Sequence, residues 1–258
     1  MQSLKDKIVF ISGASSGIGE ACAFEFAKHE SRLILCARRK NRLEKLSIEL
    51  KNKFKSDIIL LELDVRDKNE VENQINNLPE RWTNIEILIN NAGLSRGLDK
   101  LYEGKIQDWE EMIDTNVKGL LYVSRAIIPG MVKRKQGDII NIGSIAGHEV
   151  YQKGNVYCAT KHAVDAITKG LRIDLLGTPL RVCTIDPGLV ETEFSEVRFR
   201  GDNERAKTAY EGFKPLSSKD IADCVVYAAS RPKHVQIAEM IVFPTDQRSA
   251  TNVYKKNN

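Results

Sequence analysis

Short apolar runs alternate with longer amphipathic stretches along the whole chain, and this alternation is the feature that most constrains the fold. Seven runs have the length and composition of buried strands, at residues 8–11, 33–36, 58–63, 85–89, 139–142, 182–185 and 240–242. Helical spacing of apolar residues lies between them, at residues 18–29, 40–53, 67–78, 107–135, 155–176 and 217–230. Strands that are apolar on both faces and joined by helices form parallel sheets with right-handed crossovers. The alternation therefore predicts a doubly wound α/β domain.

The 258 residues are interpreted as a single domain, 1–258, because no internal repeat or Ser/Pro-rich linker divides them. Residues 191–215, between the sixth strand and the last helix, are polar and rich in arginine and interrupt the alternation of strands and helices. In open α/β sheets, ligands bind beyond the carboxyl ends of the strands. We therefore interpret residues 191–215 as a substrate-lid insertion, called the lid segment below. The alternative is a surface excursion with no functional role.

Charge and cysteine content exclude several classes of function. The 39 basic and 35 acidic residues are too balanced to indicate a nucleic-acid partner. The five cysteines are widely spaced and form no C-x-x-C pair, so neither a disulfide framework nor a metal site is predicted. That pattern favours a reducing cytoplasm. A signal peptide and an apolar run of about 18 residues are both lacking, so we expect a small-molecule substrate and no membrane.

The first strand is followed by the glycine-rich turn SGASSGIG at residues 12–19. Its spacing, G-x-x-x-G-x-G, is one residue wider at the start than the dinucleotide fingerprint G-x-G-x-x-G. Gly13 can take a tight turn, while Gly17 and Gly19 let the backbone and a helix N-terminus approach a pyrophosphate. The predicted cofactor contacts in this turn are Gly13, Ser15, Ser16, Gly17, Ile18 and Gly19.

The end of the second strand indicates which dinucleotide binds. Enzymes that use NAD place an Asp or Glu there to hold the ribose hydroxyls, whereas this chain has Arg38 and Arg39. Guanidinium groups bind a 2′-phosphate in charge-assisted pairs that a carboxylate would repel. We therefore predict NADP rather than NAD, with Arg38 as the first phosphate ligand and Arg39 as the second. Asp64, with Val65 beside it, is the candidate contact to adenine.

Tyr157 and Lys161 lie four residues apart on a predicted helix and therefore share one face. A tyrosine with its usual pKa near 10 is a poor proton shuttle at neutral pH. An ammonium group at ~4 Å would favour the phenolate by ~4 kcal/mol at an effective dielectric constant of about 20. The spacing thus predicts that Lys161 lowers the pKa of Tyr157, although Y-x-x-x-K alone is a common pattern.

Further motifs accompany this pair. Asn90-Asn91-Ala92-Gly93 follows the fourth strand, Asn116 lies on the next helix, Ser144 follows the fifth strand, and Pro187-Gly188 follows the sixth. In order and spacing, over essentially the whole chain, the set resembles the short-chain dehydrogenase/reductase family. The resemblance implies a Rossmann-type domain with a seven-stranded parallel sheet flanked by helices, and a nicotinamide cofactor. It also implies a catalytic tetrad of Asn116, Ser144, Tyr157 and Lys161.

The resemblance implies a role for each member of the tetrad. Tyr157 would be the general acid/base, and Ser144 would hydrogen-bond the reacting oxygen, so both would contact substrate. Lys161 would hold the nicotinamide ribose, and Asn116 would hold a water that continues the proton relay. Further cofactor contacts implied are Asn91, Ala92, Gly93, Tyr157, Lys161, Pro187, Gly188, Val190 and Thr192.

Four stretches, residues 188–201, 220–223, 230–232 and 243–247, resemble the NADP-dependent 3-hydroxy acid dehydrogenase branch of that family, which includes serine and allo-threonine dehydrogenases. The implied reaction moves a hydride between NADP(H) and a small 3-hydroxy acid such as serine, allo-threonine or a 3-hydroxypropionate-like compound. Family members associate through their long helices, so a homotetramer is expected.

Two other functions stay open. A 3-oxoacyl-thioester reductase would use the same tetrad but would be expected to show a basic patch for an acidic carrier protein. A non-catalytic NADP-sensing protein would have no need of Ser144 and Tyr157 together. The arginines of the lid segment bear on the choice, because a 3-hydroxy acid needs a cation for its carboxylate. We predict Arg198 as that cation ahead of Arg200, the alternative being that both are rim residues. His148 is interpreted as a hydrogen-bonded wall residue.

Overall fold

A computed structural model describes residues 2–202, 204, 208 and 210–256. One parallel sheet contains the strands β1 Ile8–Ser12, β2 Arg32–Ala37, β3 Ile58–Glu62, β4 Ile87–Asn90, β5 Asp138–Ile142, β6 Arg181–Pro187 and β9 Glu239–Val242. A two-stranded ribbon consists of β7 Val190–Glu191 and β8 Leu216–Ser217. The main sheet runs in the order β3-β2-β1-β4-β5-β6-β9, which confirms the predicted seven-stranded, doubly wound α/β fold. The order reverses between β1 and β4, the position where such sheets bind ligands.

The α-helices are α1 Gly17–Lys28, α2 Lys40–Phe54, α3 Lys68–Asn76, α4 Ile106–Ile113, α5 Leu120–Arg134, α6 Asn155–Asp174, α7 Phe194–Arg198 and α8 Ser218–Ala229. Local chemistry defines several of their ends. Asp67 caps α3 by accepting hydrogen bonds from the backbone N–H groups of Asn69 and Glu70. Ser217 and Asp220 form a reciprocal capping box at the start of α8.

Both faces of the sheet are buried under helices, as the apolar strands predict. Successive residues of β1 pack into opposite layers: Val9 and Ile11 contact the helices α1 and α8, while Phe10 packs with the side that carries α3 and α5. Trp82 lies in the second layer and is buried beneath the guanidinium of Arg32, 4.5 Å above its ring. This double burial leaves the loops at the carboxyl edge free to build a site.

The helical segment predicted over residues 107–135 is confirmed, but it contains a π turn that the sequence did not predict. The segment begins at Ile106, passes through the π-helical turn at Asp114–Gly119 and continues as α5. A π turn widens the backbone by one residue per turn and is found mostly at functional positions. Here it contains Asn116, so the departure from α geometry coincides with a residue of the predicted tetrad.

The lid segment crosses the carboxyl edge of the sheet. It begins at Glu191, the last residue of β7, contains the short helix α7, and ends just before β8, which pairs with β7. Positions 203, 205–207 and 209 of the lid segment lie outside the described residues. Within the described part of the chain, no helix is both long and apolar enough to span a membrane.

Candidate active site

The glycine-rich turn between β1 and α1 has the backbone geometry that its sequence predicts. Gly13 and Gly17 adopt φ values of +66° and +60°, a region that side chains disfavour. A Cβ on Gly13 would lie 2.9 Å from the Cα of Ala92. The Asn91 amide braces the turn by donating to the carbonyl oxygens of Ser12, at 3.0 Å, and Gly13, at 3.1 Å. Asn91 therefore shapes the turn as well as lining the cleft.

Arg39 lies directly against this turn. Its Nη2 donates to Ser16 Oγ at 2.7 Å and to Ser15 Oγ at 3.0 Å. Its Nη1 donates to Glu193 of the lid segment at 3.2 Å, and Arg42 donates to both oxygens of the same carboxylate at 2.6 Å. Partial burial raises the pKa of Glu193, but the hydrogen bonds from Arg42 and Arg39 outweigh it and hold that pKa below its usual range. Glu193 was not predicted as a site residue, because no sequence motif marks an acid that lies beside a phosphate-binding turn.

Arg38 is more loosely held than Arg39. Its side chain is 53% exposed, and its Nη1 lies 3.9 Å from Asp64 Oδ2. Asp64 pairs more closely with Arg66, whose Nη2 donates to it at 2.6 Å. Burial raises the pKa of Asp64, but the bonds from Arg66 outweigh it and the pKa lies below its usual value. Arg38, Arg39 and Asp64 all line the cleft, and their contacts with the cofactor stay a prediction.

Asn116 lies in the π turn and is buried. Its Oδ1 accepts the N–H of Leu94 at 2.8 Å, and its Nδ2 donates to the carbonyl of Leu94 at 2.8 Å. The same Nδ2 donates to Thr160 Oγ1 of α6 at 3.0 Å. Asn116 therefore ties the loop after β4 to the helix that bears Tyr157 and Lys161.

Ser144, Tyr157 and Lys161 meet at the carboxyl end of β5. Ser144 caps a 3₁₀ turn at Ile145–Gly147, where its Oγ accepts the N–H of Ala146 at 3.1 Å. Tyr157 and Lys161 are buried on one face of α6, at 8% and 7% exposure. Lys161 Nζ donates to the carbonyl of Ile142 at 2.9 Å. Burial lowers the pKa of Lys161 to about 8, against the opposing charge of Asp186.

The predicted electrostatic role of Lys161 towards Tyr157 needs correction. Burial raises the pKa of Tyr157 above its ordinary value, and the neighbouring Tyr151 adds to the rise. The groups that act against this rise are the Ser144 hydroxyl, through a hydrogen bond, and the Arg198 guanidinium, through its charge. Helical spacing places Lys161 on the right face, but its ammonium reaches the backbone of β5 instead of the phenol. Sequence spacing does not determine where a long side chain ends.

Arg198 extends from α7 over the phenol rings of the site. Its Cζ lies 5.5 Å from the ring centroid of Tyr157 and 5.6 Å from that of Tyr151. Its Nη2 donates to Tyr151 Oη at 2.6 Å, and its Nε donates to the carbonyl of Gly97 at 3.2 Å. Arg200, the second candidate, instead pairs with Asp108 beside α4. The structure thus separates two arginines that the sequence could only rank.

His148 faces away from the cleft, towards two carboxylates. Its Nε2 lies 3.4 Å from Asp186 Oδ2 and 3.6 Å from Glu239 Oε1. In His148, Asp186 and Glu239, one atom each of a kind that can bind a metal ion lies within 4.8 Å of the other two. It is the only such group found among the described residues. His148 is not among the residues that line the cleft, and its buried Nε2 has no hydrogen-bond partner in the part of the chain that the structure describes. The interpretation of His148 as a hydrogen-bonded wall residue therefore stays a prediction, and the sequence showed no sign of the two acids.

A cleft of about 500 Å³ joins these elements at the switch point of the sheet. Of the predicted site residues, Gly19 and Asn116 are buried behind it, and the others line it: Gly13, Ser15, Ser16, Gly17, Ile18, Arg38, Arg39, Asp64, Val65, Asn91, Ala92, Gly93, Ser144, Tyr157, Lys161, Pro187, Gly188, Val190, Thr192 and Arg198. Lining residues that the sequence did not assign to the site include Tyr151, Phe194, Tyr210 and Gln247. Phe194 begins the short helix α7, the other three lie in loops, and no local motif gives any of them a role.

The fold and the residues around the cleft define a class of protein. A family model described as short chain dehydrogenase matches residues 7–203, and the chain belongs to that family. It is 44% identical over 257 residues to the NADP-dependent 3-hydroxy acid dehydrogenase of Schizosaccharomyces pombe, with 99% of each chain covered. It is 43% identical over 251 residues to the NADP-dependent 3-hydroxy acid dehydrogenase YdfG of Escherichia coli K12, covering 96% of this chain and all of the relative. Among solved structures, the closed form of serine dehydrogenase complexed with NADP⁺ has a TM-score of 0.90 and 43% identity, with 96% of this chain and all of the other chain covered.

Proposed function

We propose that the protein is an NADP-dependent oxidoreductase that transfers a hydride between NADP(H) and the hydroxyl or carbonyl group of a small 3-hydroxy acid. The observation that carries this proposal is the position of Arg198, a cation 5.5 Å above the ring of Tyr157 at the mouth of the cleft. A carboxylate two carbons from a reacting hydroxyl would meet that guanidinium. The names of its full-length relatives, at 43–44% identity, support the same activity.

The cleft fits NADP in shape and charge. Gly13 and Gly17 leave the backbone of the turn open to a pyrophosphate at the N-terminus of α1. Arg38 and Arg39 place two guanidinium groups where the 2′-phosphate would lie, and Arg39 is already oriented by the Ser15 and Ser16 hydroxyls. When bound, NADP⁺ supplies the hydride acceptor, and NADPH the donor in the reverse direction.

The chain's own residues handle the proton and the charge on the reacting oxygen. We assign Tyr157 as the general base that removes the hydroxyl proton during oxidation and returns it during reduction. Ser144 donates a hydrogen bond to the same oxygen and stabilises its developing charge. Lys161, which is buried and lines the cleft, would hold the nicotinamide ribose with its ammonium group. Asn116 fixes the Leu94 loop against α6 and is assigned to the proton relay.

The lid segment is proposed to close over the substrate within a single domain spanning residues 1–258. Its helix α7 contributes Phe194, whose ring meets that of Tyr157 edge-on with centroids 5.6 Å apart. An apolar wall on this side and Arg198 above it suit a short substrate with one charged end. We propose a homotetramer in the cytoplasm as the functional form.

The experiment that tests this function is NADP⁺ reduction measured with matched substrates. The panel contains L-serine, L-allo-threonine and 3-hydroxypropionate, their methyl esters, and a 3-hydroxyacyl thioester, each with NADP⁺ and with NAD⁺. We expect the highest kcat/KM with NADP⁺ and a free 3-hydroxy acid. Preference for the thioester would instead establish a 3-oxoacyl-thioester reductase, and NADP⁺ binding without any turnover would indicate a sensor.

A further inference from the structure

Asp186, near the end of β6, is a buried acid that no step of the proposed reaction uses. Its side chain is 2% exposed and lies directly behind the turn that presents Ser144. Its Oδ1 accepts the backbone N–H of Ser144 at 3.1 Å, and its Oδ2 accepts the Thr184 hydroxyl at 2.8 Å. Thr184 and Asp186 are two residues apart on one strand, so their side chains point to the same face of the sheet.

The surrounding backbone is shaped around this carboxylate. A Cβ on Gly143 would lie 1.8 Å from Asp186 Oδ1, so only glycine leaves the acid room to reach Ser144. Gly143 also follows Ile142, whose carbonyl accepts the hydrogen bond from Lys161 Nζ. Three consecutive residues at the end of β5 thus connect Asp186 to both Ser144 and Lys161.

The charged groups that face Asp186 come from every element packed against it. His148, four residues after Ser144, lies 3.4 Å away, and Glu239 of β9 faces the same imidazole at 3.6 Å. Lys161 of α6 donates to the carbonyl of Ile142, two residues before Ser144, and Lys169, further along that helix, pairs with Glu239 at 3.9 Å. Lys161 is the one cation of this set that also lines the cleft.

We propose that Asp186 is a positioning residue: it holds Ser144 in place through the backbone N–H, and its negative charge stabilises the ammonium form of Lys161. Two observations on charge agree with this. Burial lowers the pKa of Lys161 to about 8, and the charge of Asp186 opposes that fall. Burial raises the pKa of Asp186 itself, while the Thr184 hydroxyl and His148 act against the rise and favour the anion. This inference rests on the proposed function for its activity measurements.

The direction of the expected pH shift follows from the charge on Lys161. Lys161 binds the ribose as an ammonium group, which is lost as the pH rises through its pKa. Removing the negative charge of Asp186 lowers that pKa further. Asp186→Asn should therefore move the alkaline limb of the kcat/KM profile to lower pH, by about 0.5–1 unit. Asparagine keeps one oxygen that can accept the Ser144 N–H but replaces the acceptor of the Thr184 hydroxyl with a donor. The resulting shift of the side chain should loosen Ser144 and lower kcat by roughly ten- to a hundredfold.

The test compares pH profiles of four proteins with NADP⁺ and the preferred hydroxy acid. Asp186→Glu keeps the charge and should keep the alkaline limb in place even if kcat falls. Asp138→Asn is the matched control, because it removes a carboxylate from the neighbouring strand β5 at the opposite edge of the sheet, where it pairs with Arg181. A merely structural role would change stability in the Asp186 and Asp138 variants and leave both profiles unmoved.

A second measurement does not depend on turnover. Lysine side chains labelled by ¹³C-methylation are titrated by NMR in the cofactor-free protein, and the Lys161 signal is assigned with Lys161→Arg. We expect the Lys161 pKa to fall in Asp186→Asn and to stay unchanged in Asp138→Asn. If the Asn variant does not fold, Asp186→Ser removes the same charge with a smaller side chain.

Coinciding pH profiles of wild type and Asp186→Asn, with an unchanged Lys161 titration, would overturn the proposal. An equal shift of the alkaline limb in Asp186→Glu or Asp138→Asn would also overturn the proposal. Failure of the proposed function looks different, because the wild type itself would then show no NADP⁺ reduction.

Discussion

At the scale of single residues, burial sets the chemistry of the site. Tyr157 and Lys161 are both removed from water, which disfavours the phenolate of one and the ammonium of the other. Each charged form therefore depends on specific neighbours: Ser144 and Arg198 for the phenolate, Asp186 for the ammonium. The proton-transfer role assigned to Tyr157 rests on its hydroxyl and not on its ring.

Tyr157→Phe should accordingly remove turnover and leave cofactor binding intact. The buried ring keeps its packing against Phe194, while the proton donor is lost. General acid–base catalysis is typically worth 10²–10⁴-fold, so kcat should fall by about that factor. NADPH fluorescence titration serves as the control and should give a Kd near that of the wild type. A variant that keeps more than about a tenth of the wild-type rate contradicts the assignment.

The arginines at the end of β2 carry the cofactor preference. Arg38→Asp loses a phosphate ligand and adds an acceptor for the ribose hydroxyl, so it should move preference from NADP towards NAD. A hydrogen bond to a charged group is worth roughly 1.5–3 kcal/mol, which corresponds to a ten- to hundredfold change in the ratio of the two kcat/KM values. The control is Arg81→Asp, the same change of charge at an exposed side chain away from the cleft. An unchanged ratio in Arg38→Asp would place the selecting residue elsewhere, with Arg39 the next to test.

Residues in local motifs could be predicted from the sequence, and residues that act across the fold could not. Gly13, Gly17, Tyr157 and Lys161 have fixed spacing and local geometry, so their places in the cleft were foreseen. Asp186 reaches Ser144 from another strand, 42 residues further along the chain. Glu193 likewise meets Arg39 across 154 residues. Such pairs depend on tertiary packing, which no spacing rule contains.

At the scale of elements, the lid segment connects the two ends of the cleft. Glu193, just before α7, binds the Arg39 and Arg42 pair at the cofactor end. Arg198, at the end of α7, lies over Tyr157 at the substrate end. The polar composition of the lid segment predicted a segment near the ligand, but only the short helix shows which arginine points inward.

Arg198→Met should raise KM for hydroxy acids by about ten- to a hundredfold and change little for their methyl esters, because the ester carries no carboxylate to pair. Steady-state kinetics with each acid and its ester checks this directly. Arg200→Met is the matched control, since that side chain pairs with Asp108 away from Tyr157. Equal losses on acid and ester would mean that the substitution disturbed the lid segment instead of a carboxylate contact.

The π turn shows where element prediction from sequence fails. Apolar spacing continues smoothly from 107 to 135, and a single extra residue in one turn leaves it almost unchanged. In the π turn, Asn116 forms hydrogen bonds with Leu94 and Thr160. A regular α-helix would place the Asn116 side chain differently. Apolar periodicity therefore predicts the helix but not the π turn within it.

At the scale of the whole molecule, strand number and crossover handedness leave few possible topologies. Seven short apolar strands with helices between them were enough to predict the sheet. The inner strands are buried along almost their whole length, whereas the edge strands β3 and β9 are partly exposed. The strand ends in the structure differ from the predicted ends by one or two residues, as at β6, which extends to Pro187. Those end residues are polar or conformationally restricted, so apolar patterning does not detect them.

The outer helices leave large apolar side chains in solvent. Ile106 and Ile113 of α4 and Ile173 of α6 are exposed by 66%, 41% and 72%. Exposed apolar surface on neighbouring helices is typical of faces that associate. We expect a homotetramer in sedimentation velocity at micromolar concentration, and a single monomeric species at that concentration would contradict this.

If the protein functions as proposed, its cleft moves a hydride from a 3-hydroxy acid to NADP⁺. Isotope transfer follows that hydride. The hydroxy acid that the protein prefers is deuterated at the carbon bearing the hydroxyl and incubated with NADP⁺, and the reduced cofactor is analysed by mass spectrometry. We expect one deuterium in each NADPH formed by the wild type, and almost no NADPH from Tyr157→Phe within the same time. NADPH without deuterium, or no NADPH from any 3-hydroxy acid with the wild type, would contradict the proposed function.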